Sequence, residues 1–151
     1  FPGLEHALEI VREIDGVRFV NDSKATNIEA AQRSIESFAR DLVVIIGGRY
    51  KGDDFGLLRE PLRARQSTVV AIGEARPLIH QALADTVLVR DAETMYDAVR
   101  LAFASARPGG TVLLAPACSS FDMFHDYAER GRRFKEDVLA LAADMERTRK
   151  Q

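Results

Sequence analysis

The sequence holds one cysteine, Cys118, and a lone thiol cannot close an internal disulfide, which sets aside the small cross-linked scaffolds of secreted proteins. Long hydrophobic runs are also missing: LVVII at residues 42–46 and TVLLA at 111–115 fall far short of the roughly 20 apolar residues that span a bilayer. Neither sign of charge dominates, because 21 basic residues against 23 acidic ones leave a net charge of −2 and no footprint for nucleic acid. No basic segment precedes an apolar core at the start of the chain, where residues 4–12 are amphipathic, so no signal peptide is expected. Nucleotide fingerprints are lacking as well. GxGxxG does not occur, and GGRYKG at residues 47–52 has neither the four-residue spacing between glycines nor the Ser or Thr after the lysine that a phosphate-binding loop requires. The expectation is a cytoplasmic protein with no nucleic-acid partner and no membrane insertion. The first residue is Phe1 rather than methionine, as expected of a processed protein or of a piece of a longer one.

What is present reads as one domain over residues 1–151: 46% hydrophobic and 29% charged residues suffice to bury roughly two-thirds of the unfolded surface. Residues 8–14 and 17–20 alternate polar and apolar around Asp15-Gly16, a dipeptide suited to the positive φ angles of a two-residue hairpin. Ile28, Ala31, Ile35 and Phe38 then recur at helical spacing, and residues 42–46 read as a strand buried on both faces. The alternation continues with a helix over 57–65, a strand over 68–72, a helix over 77–83, an extended segment over 86–89 and a helix over 95–106. The turn RPGG at 107–110 leads into a last strand, 111–114. Residues 122–147 read as helix with a break at Gly131, and Phe134, Val138, Leu141 and Met145 form its apolar stripe.

Strands and helices alternating at these lengths predict an α/β fold, a Rossmann-like three-layer sandwich whose mostly parallel sheet carries an N-terminal β-hairpin at one edge. Ligands of such sheets bind beyond the carboxyl ends of the strands, which singles out three segments. NDSKATN at 21–27 combines a carboxylate, an ammonium, hydroxyls and amides just before a helix. It reads either as an anion site, with Lys24 and Thr26 as donors, or as a helix cap formed by Ser23, Thr26 or Asn27. GGRYKG at 47–52 places Lys51 at the end of a glycine turn, and the alternative there is an ordinary turn with solvated basic residues. PACSSFD at 116–122 again puts hydroxyls and backbone donors ahead of a helix and suits a carboxylate. Cys118 reads as a small buried residue and His125 as a surface one, and neither is expected to be catalytic.

In this order and spacing, NDSKATN, the Gly-Gly turn leading to Lys51, and PACSSFDMF at 116–124 resemble the C-terminal domain of the muramyl ligases, the ATP-dependent enzymes that lengthen the peptide of cell-wall precursors. NDSKATN is close to diagnostic for the members that add D-glutamate to UDP-N-acetylmuramoyl-L-alanine. The resemblance implies a three-domain bacterial cytoplasmic enzyme of which this chain is the last domain. ATP and Mg2+ would be held mainly by a central domain of the same polypeptide, so no metal ligand is expected here and the isolated chain is expected to be inactive. Thr26, Lys51, Ser120, Phe121 and Tyr127 would hold the two carboxylates of D-glutamate. Asp22 and Lys24 would face the nucleotide, with Lys24 serving the transferring phosphate as a catalytic group. Two positions depart from the family: Ala7 follows His6 where an arginine is common, leaving Arg49 as a candidate replacement cation, and Tyr127 stands where phenylalanine is frequent. A stand-alone anion-binding or regulatory module, and a sister muramyl ligase using another amino acid, are the alternatives.

Overall fold

The computed structural model describes residues 4–50, 52 and 54–150, so Lys51 lies outside the described residues. The chain opens on the antiparallel pair β1 (Glu9–Ile14) and β2 (Val17–Asn21), closed by Asp15 at φ 48° and Gly16 at φ 82°. Positive φ at both central residues gives a two-residue turn the same handed twist as its strands, which is why Asp-Gly serves here.

From β2 onward the strands are parallel: β3 (Leu42–Gly47), β4 (Thr68–Ile72), β5 (Leu88–Asp91) and β6 (Thr111–Leu114). The order across the sheet is β1-β2-β6-β3-β4-β5, with the hairpin strand at one edge as the alternation predicts. The last strand is thus inserted between β2 and β3, and the chain reverses its direction of travel across the sheet there. That reversal opens a crevice above β2, β6 and β3.

β3 is buried throughout because alternate side chains enter different layers. Val44 and Ile46 pack with α1 (Ile28–Glu36), α2 (Arg59–Ala64) and α3 (Arg76–Leu83). Val43 and Ile45 pack with α4 (Met95–Ala106) and α5 (Tyr127–Arg149).

Three segments differ from the sequence reading. Residues 55–58 form a 3-10 turn before α2, so the helix read over 57–65 is two short pieces. The extended segment read at 86–89 becomes β5 two residues later, because Thr86 and Val87 still donate to Leu83 O in the helix-end turn. The final helix begins at Tyr127, where the Asp126 carboxylate caps Glu129 N at 2.8 Å, and it runs unbroken through Gly131. Glycine is needed there for space and not for a break: a Cβ would stand 2.1 Å from His6 Nδ1.

Gly131→Ala is therefore expected to destabilise the fold. The methyl displaces the buried His6 ring, an overpacking cost of about 1–3 kcal/mol, against a helix-propensity gain of about 1 kcal/mol. Urea unfolding checks it; a midpoint equal to or above the parent's would show that His6 moves freely.

Candidate functional site

The site is built on Asn21, the last residue of β2, whose side chain is fully buried and makes three hydrogen bonds. Its Oδ1 accepts from Ser23 N at 3.1 Å, and its Nδ2 donates to His6 Nδ1 at 2.9 Å and Glu9 Oε1 at 3.0 Å. An amide that donates to Nδ1 requires a lone pair there, so the His6 proton sits on Nε2 and the ring is neutral. Burial pushes the His6 pKa down in agreement, with Glu5 pulling the other way.

Asp22 extends the ladder by donating its N–H to Leu114 O at 2.9 Å, while its Oδ1 accepts from Leu8 N at 3.1 Å. Burial raises its carboxyl pKa, opposed by the Ser34 hydroxyl and the Leu8 N–H. Lys24 donates its N–H to His6 O at 3.0 Å, and its side chain is exposed and makes no ion pair among the described residues. Thr26 is half-buried, and Asn27 caps α1 by accepting from Ala30 N at 2.8 Å. Of the three cap candidates, Asn27 takes that role.

The loop after β6 lies between the other two strand-end loops and is bonded to both. Ala117, at φ 63°, donates its N–H to Ala25 O at 2.9 Å on one side. On the other, Pro116 O accepts from Gly47 N at 2.9 Å and Ser119 O accepts from Arg49 N at 3.0 Å. A Cβ on Gly48 would stand 2.1 Å from Ser119 O, so the approach of these two loops requires that glycine. Ser120 is buried and Phe121 is 63% exposed beside it. Asp122 turns back to accept from Glu74 N at 2.8 Å, tying the loop after β4 to the same rim.

The start of α5 closes the arrangement. Tyr127 O accepts from Ser23 Oγ at 2.7 Å, and the Tyr127 ring, 37% exposed, meets His6 edge-on with centroids 6.1 Å apart. One turn later Arg130, 1% exposed, donates from Nε to Ser23 Oγ at 2.9 Å, from Nη2 to Ser23 O at 2.8 Å and from Nη1 to Cys118 O at 3.0 Å.

The strand-end segments singled out by the sequence thus meet along one rim, with Lys24, Thr26, Ser120 and Phe121 on two loops bonded to each other and Tyr127 at the start of the helix that bonds to the first of them. Lys51, outside the described residues, belongs to the loop whose Arg49 contacts Ser119. Cys118 is buried, and His125 is exposed with its N–H donated to Glu129 Oε1.

Two features were not read from the sequence. Arg130 was missed, although it falls one turn before Phe134 on the stripe continued by Val138 and Leu141, an unusual place for a charge. The second is a cleft of about 320 Å³ lined by Ala7, Leu8, Asp22, Lys24, Arg33 and Ser34, among others. The arginine lining that cleft with Ala7 is Arg33, whereas Arg49 is paired with Glu74 at 3.4 Å. Among the described residues no group of three His, Cys, Asp or Glu side chains is placed to hold a metal ion, and no helix is long and apolar enough to cross a membrane.

The family described as "Mur ligase, glutamate ligase domain" matches residues 8–118. A "UDP-N-acetylmuramoylalanine--D-glutamate ligase" from Chlorobaculum parvum is 46% identical over 143 residues, covering 95% of this chain and 31% of that protein. One of the same name from Solibacter usitatus is 48% identical over 141 residues, covering 93% and 32%. The chain therefore spans about a third of the length of these relatives. The crystal structure of a murein peptide ligase from Psychrobacter arcticus shares the fold, with a TM-score of 0.63 at 12% identity over 93% of this chain and 30% of that one.

The raised carboxyl pKa of Asp22 has a definite sign for stability. Folding favours the protonated acid, so Asp22 costs stability as pH rises through its folded pKa, and the cost vanishes below the unfolded pKa of about 3.9. Asp22→Asn keeps an oxygen for Leu8 N and is expected to melt above the parent at pH 7, the two converging near pH 3. A variant that melts below the parent at pH 7 would show that the carboxylate is net favourable in the fold.

Proposed function

The chain belongs to the Mur ligase family, matching its glutamate ligase domain, and from that premise we propose that it is the amino-acid-accepting domain of a ligase that adds D-glutamate to UDP-N-acetylmuramoyl-L-alanine in the bacterial cytoplasm. The observation that carries the reading is the rim itself, where hydroxyls, backbone donors and the ammonium of Lys24 gather on three loops, the middle one bonded to both of its neighbours. Relatives near 45% identity that bear the D-glutamate ligase name support it. A dicarboxylate needs two anion sites on one surface, and such a rim supplies the donors.

In this reading ATP phosphorylates the alanyl carboxylate, the amine of D-glutamate attacks the acyl phosphate, and the tetrahedral intermediate collapses to the amide and inorganic phosphate. Thr26, Lys51, Ser120, Phe121 and Tyr127 hold the two carboxylates through side chains or backbone N–H groups. Fixing the amine against its electrophile supplies several kcal/mol of the barrier. Lys24 is the group assigned to the transferring phosphate, and its exposed ammonium, without an ion pair among the described residues, suits that role. Asp22 and Arg33 line the same cleft as Lys24 and fit the polar edge of a nucleotide. ATP supplies the phosphoryl group when bound; its phosphate loop and the Mg2+ ligands are assigned to a central domain of the complete polypeptide, which closes on this rim.

Three measurements test the proposal. The complete polypeptide, offered D-glutamate and the amino acids used by sister ligases, is expected to turn over D-glutamate preferentially, and turnover with another amino acid alone would sink the assignment. Ser120→Ala and Lys51→Ala are each expected to raise the D-glutamate KM about tenfold or more, the loss of a charged hydrogen bond of about 1.5–3 kcal/mol. Unchanged D-glutamate kinetics in both would refute the pocket. The isolated chain is expected neither to hydrolyse ATP nor to ligate.

A further inference from the structure

Arg130 is the most deeply set charge among the described residues, and the proposed chemistry does not touch it. All three of its hydrogen bonds go to uncharged oxygens, Ser23 Oγ, Ser23 O and Cys118 O. No carboxylate pairs with it among the described residues, and Asp122 acts on it only at a distance. A guanidinium taken from water without an ionised partner is costly, and two buried carbonyls can be met by neutral donors at less cost. The placement therefore asks for a reason beyond holding the chain together.

The neighbours supply one. Ser23 immediately precedes Lys24 on the loop after β2, and Cys118 is two residues before Ser120 on the loop after β6. The fork reaches both loops from below, while Tyr127, on the same helix one turn earlier, faces the rim. We infer that Arg130 is a positioning residue for the anionic amino acid: it fixes the separation of the two loops that hold the ligand and leaves a positive charge beneath them that a dicarboxylate completes. In the dry surroundings of the two loops such a charge acts on an anion above it more strongly than a solvated lysine does. Burial lowers the Arg130 pKa only to about 10, with Cys118 and Asp122 opposing, so the cation persists at neutral pH.

The inference rests on the D-glutamate reading, and one experiment separates the two. In the complete polypeptide, Arg130→Met is expected to raise the KM for D-glutamate about tenfold or more while the KM values for ATP and the UDP-linked acceptor stay within about twofold. Arg130→Lys, which keeps the charge but can reach only one loop, is expected to fall between, with a rise of about threefold. A merely structural residue would instead lower kcat or the melting temperature without singling out one substrate. If Arg130→Met does not fold, Arg130→Lys decides. D-glutamate KM unchanged in the folded variant overturns the inference alone, whereas no D-glutamate ligation by the unmodified polypeptide sinks the functional reading and this inference with it.

Discussion

A desolvated guanidinium organises the carboxyl end of the sheet. Where β2 and β6 end, their backbones leave the ladder, and Ser23 and Cys118 are buried with carbonyls that no strand can satisfy. Arg130 answers both with one planar fork, and it also donates to the Ser23 hydroxyl, which in turn donates to Tyr127 O. The result is a closed circuit between two loops and the first turn of α5. Phe134, Val138 and Leu141, buried along the same helix face, hold that turn against the sheet.

A second network secures the other side of α5. Lys135 donates to Glu5 at 2.9 Å and Glu9 at 3.2 Å, and Glu9 also accepts from Asn21, so the segment before β1 is tied to α5 and the start of β1 to both α5 and β2. Burial draws the Lys135 pKa down, but the two glutamates carry it up overall. Between the two networks His6 is wedged neutral against Gly131. Three adverse features lie at this end of the sheet: a buried carboxylate at Asp22, a guanidinium at Arg130 with no ionised partner among the described residues, and a left-handed alanine at 117. Strain and desolvation of this kind at a strand-end crevice accompany a binding rim, since groups arranged for a ligand are not arranged for one another.

Much of the architecture was legible because its causes are local. Asp15-Gly16 carries its own turn geometry, the apolar run at residues 42–46 marks a strand covered on two faces, and Asn27, one of the three cap candidates, caps the helix that follows it. The readings that shifted are those where a contact distant in sequence overrode the local signal. Gly131 reads as a breaker by propensity, yet it lies inside a continuous helix because a ring 125 positions earlier needs its space. Arg49 reads as a candidate cation for the position of Ala7, but the sheet order sends it to Glu74 and brings Arg33 to the cleft beside Ala7.

The sequence by itself determined the order and type of the elements, the parallel α/β class and the three segments that meet at the rim, together with their resemblance to the Mur ligases. Those follow from periodicity, turn chemistry and motif spacing, which act over a few residues. The tertiary structure alone decided that β6 enters between β2 and β3, that its loop is bonded on both flanks, that His6 is neutral and that Arg130 is buried beneath the ligand loops. Each depends on groups up to 107 positions apart meeting out of water, where a hydrogen bond or a charge takes its strength from surroundings that no local pattern encodes.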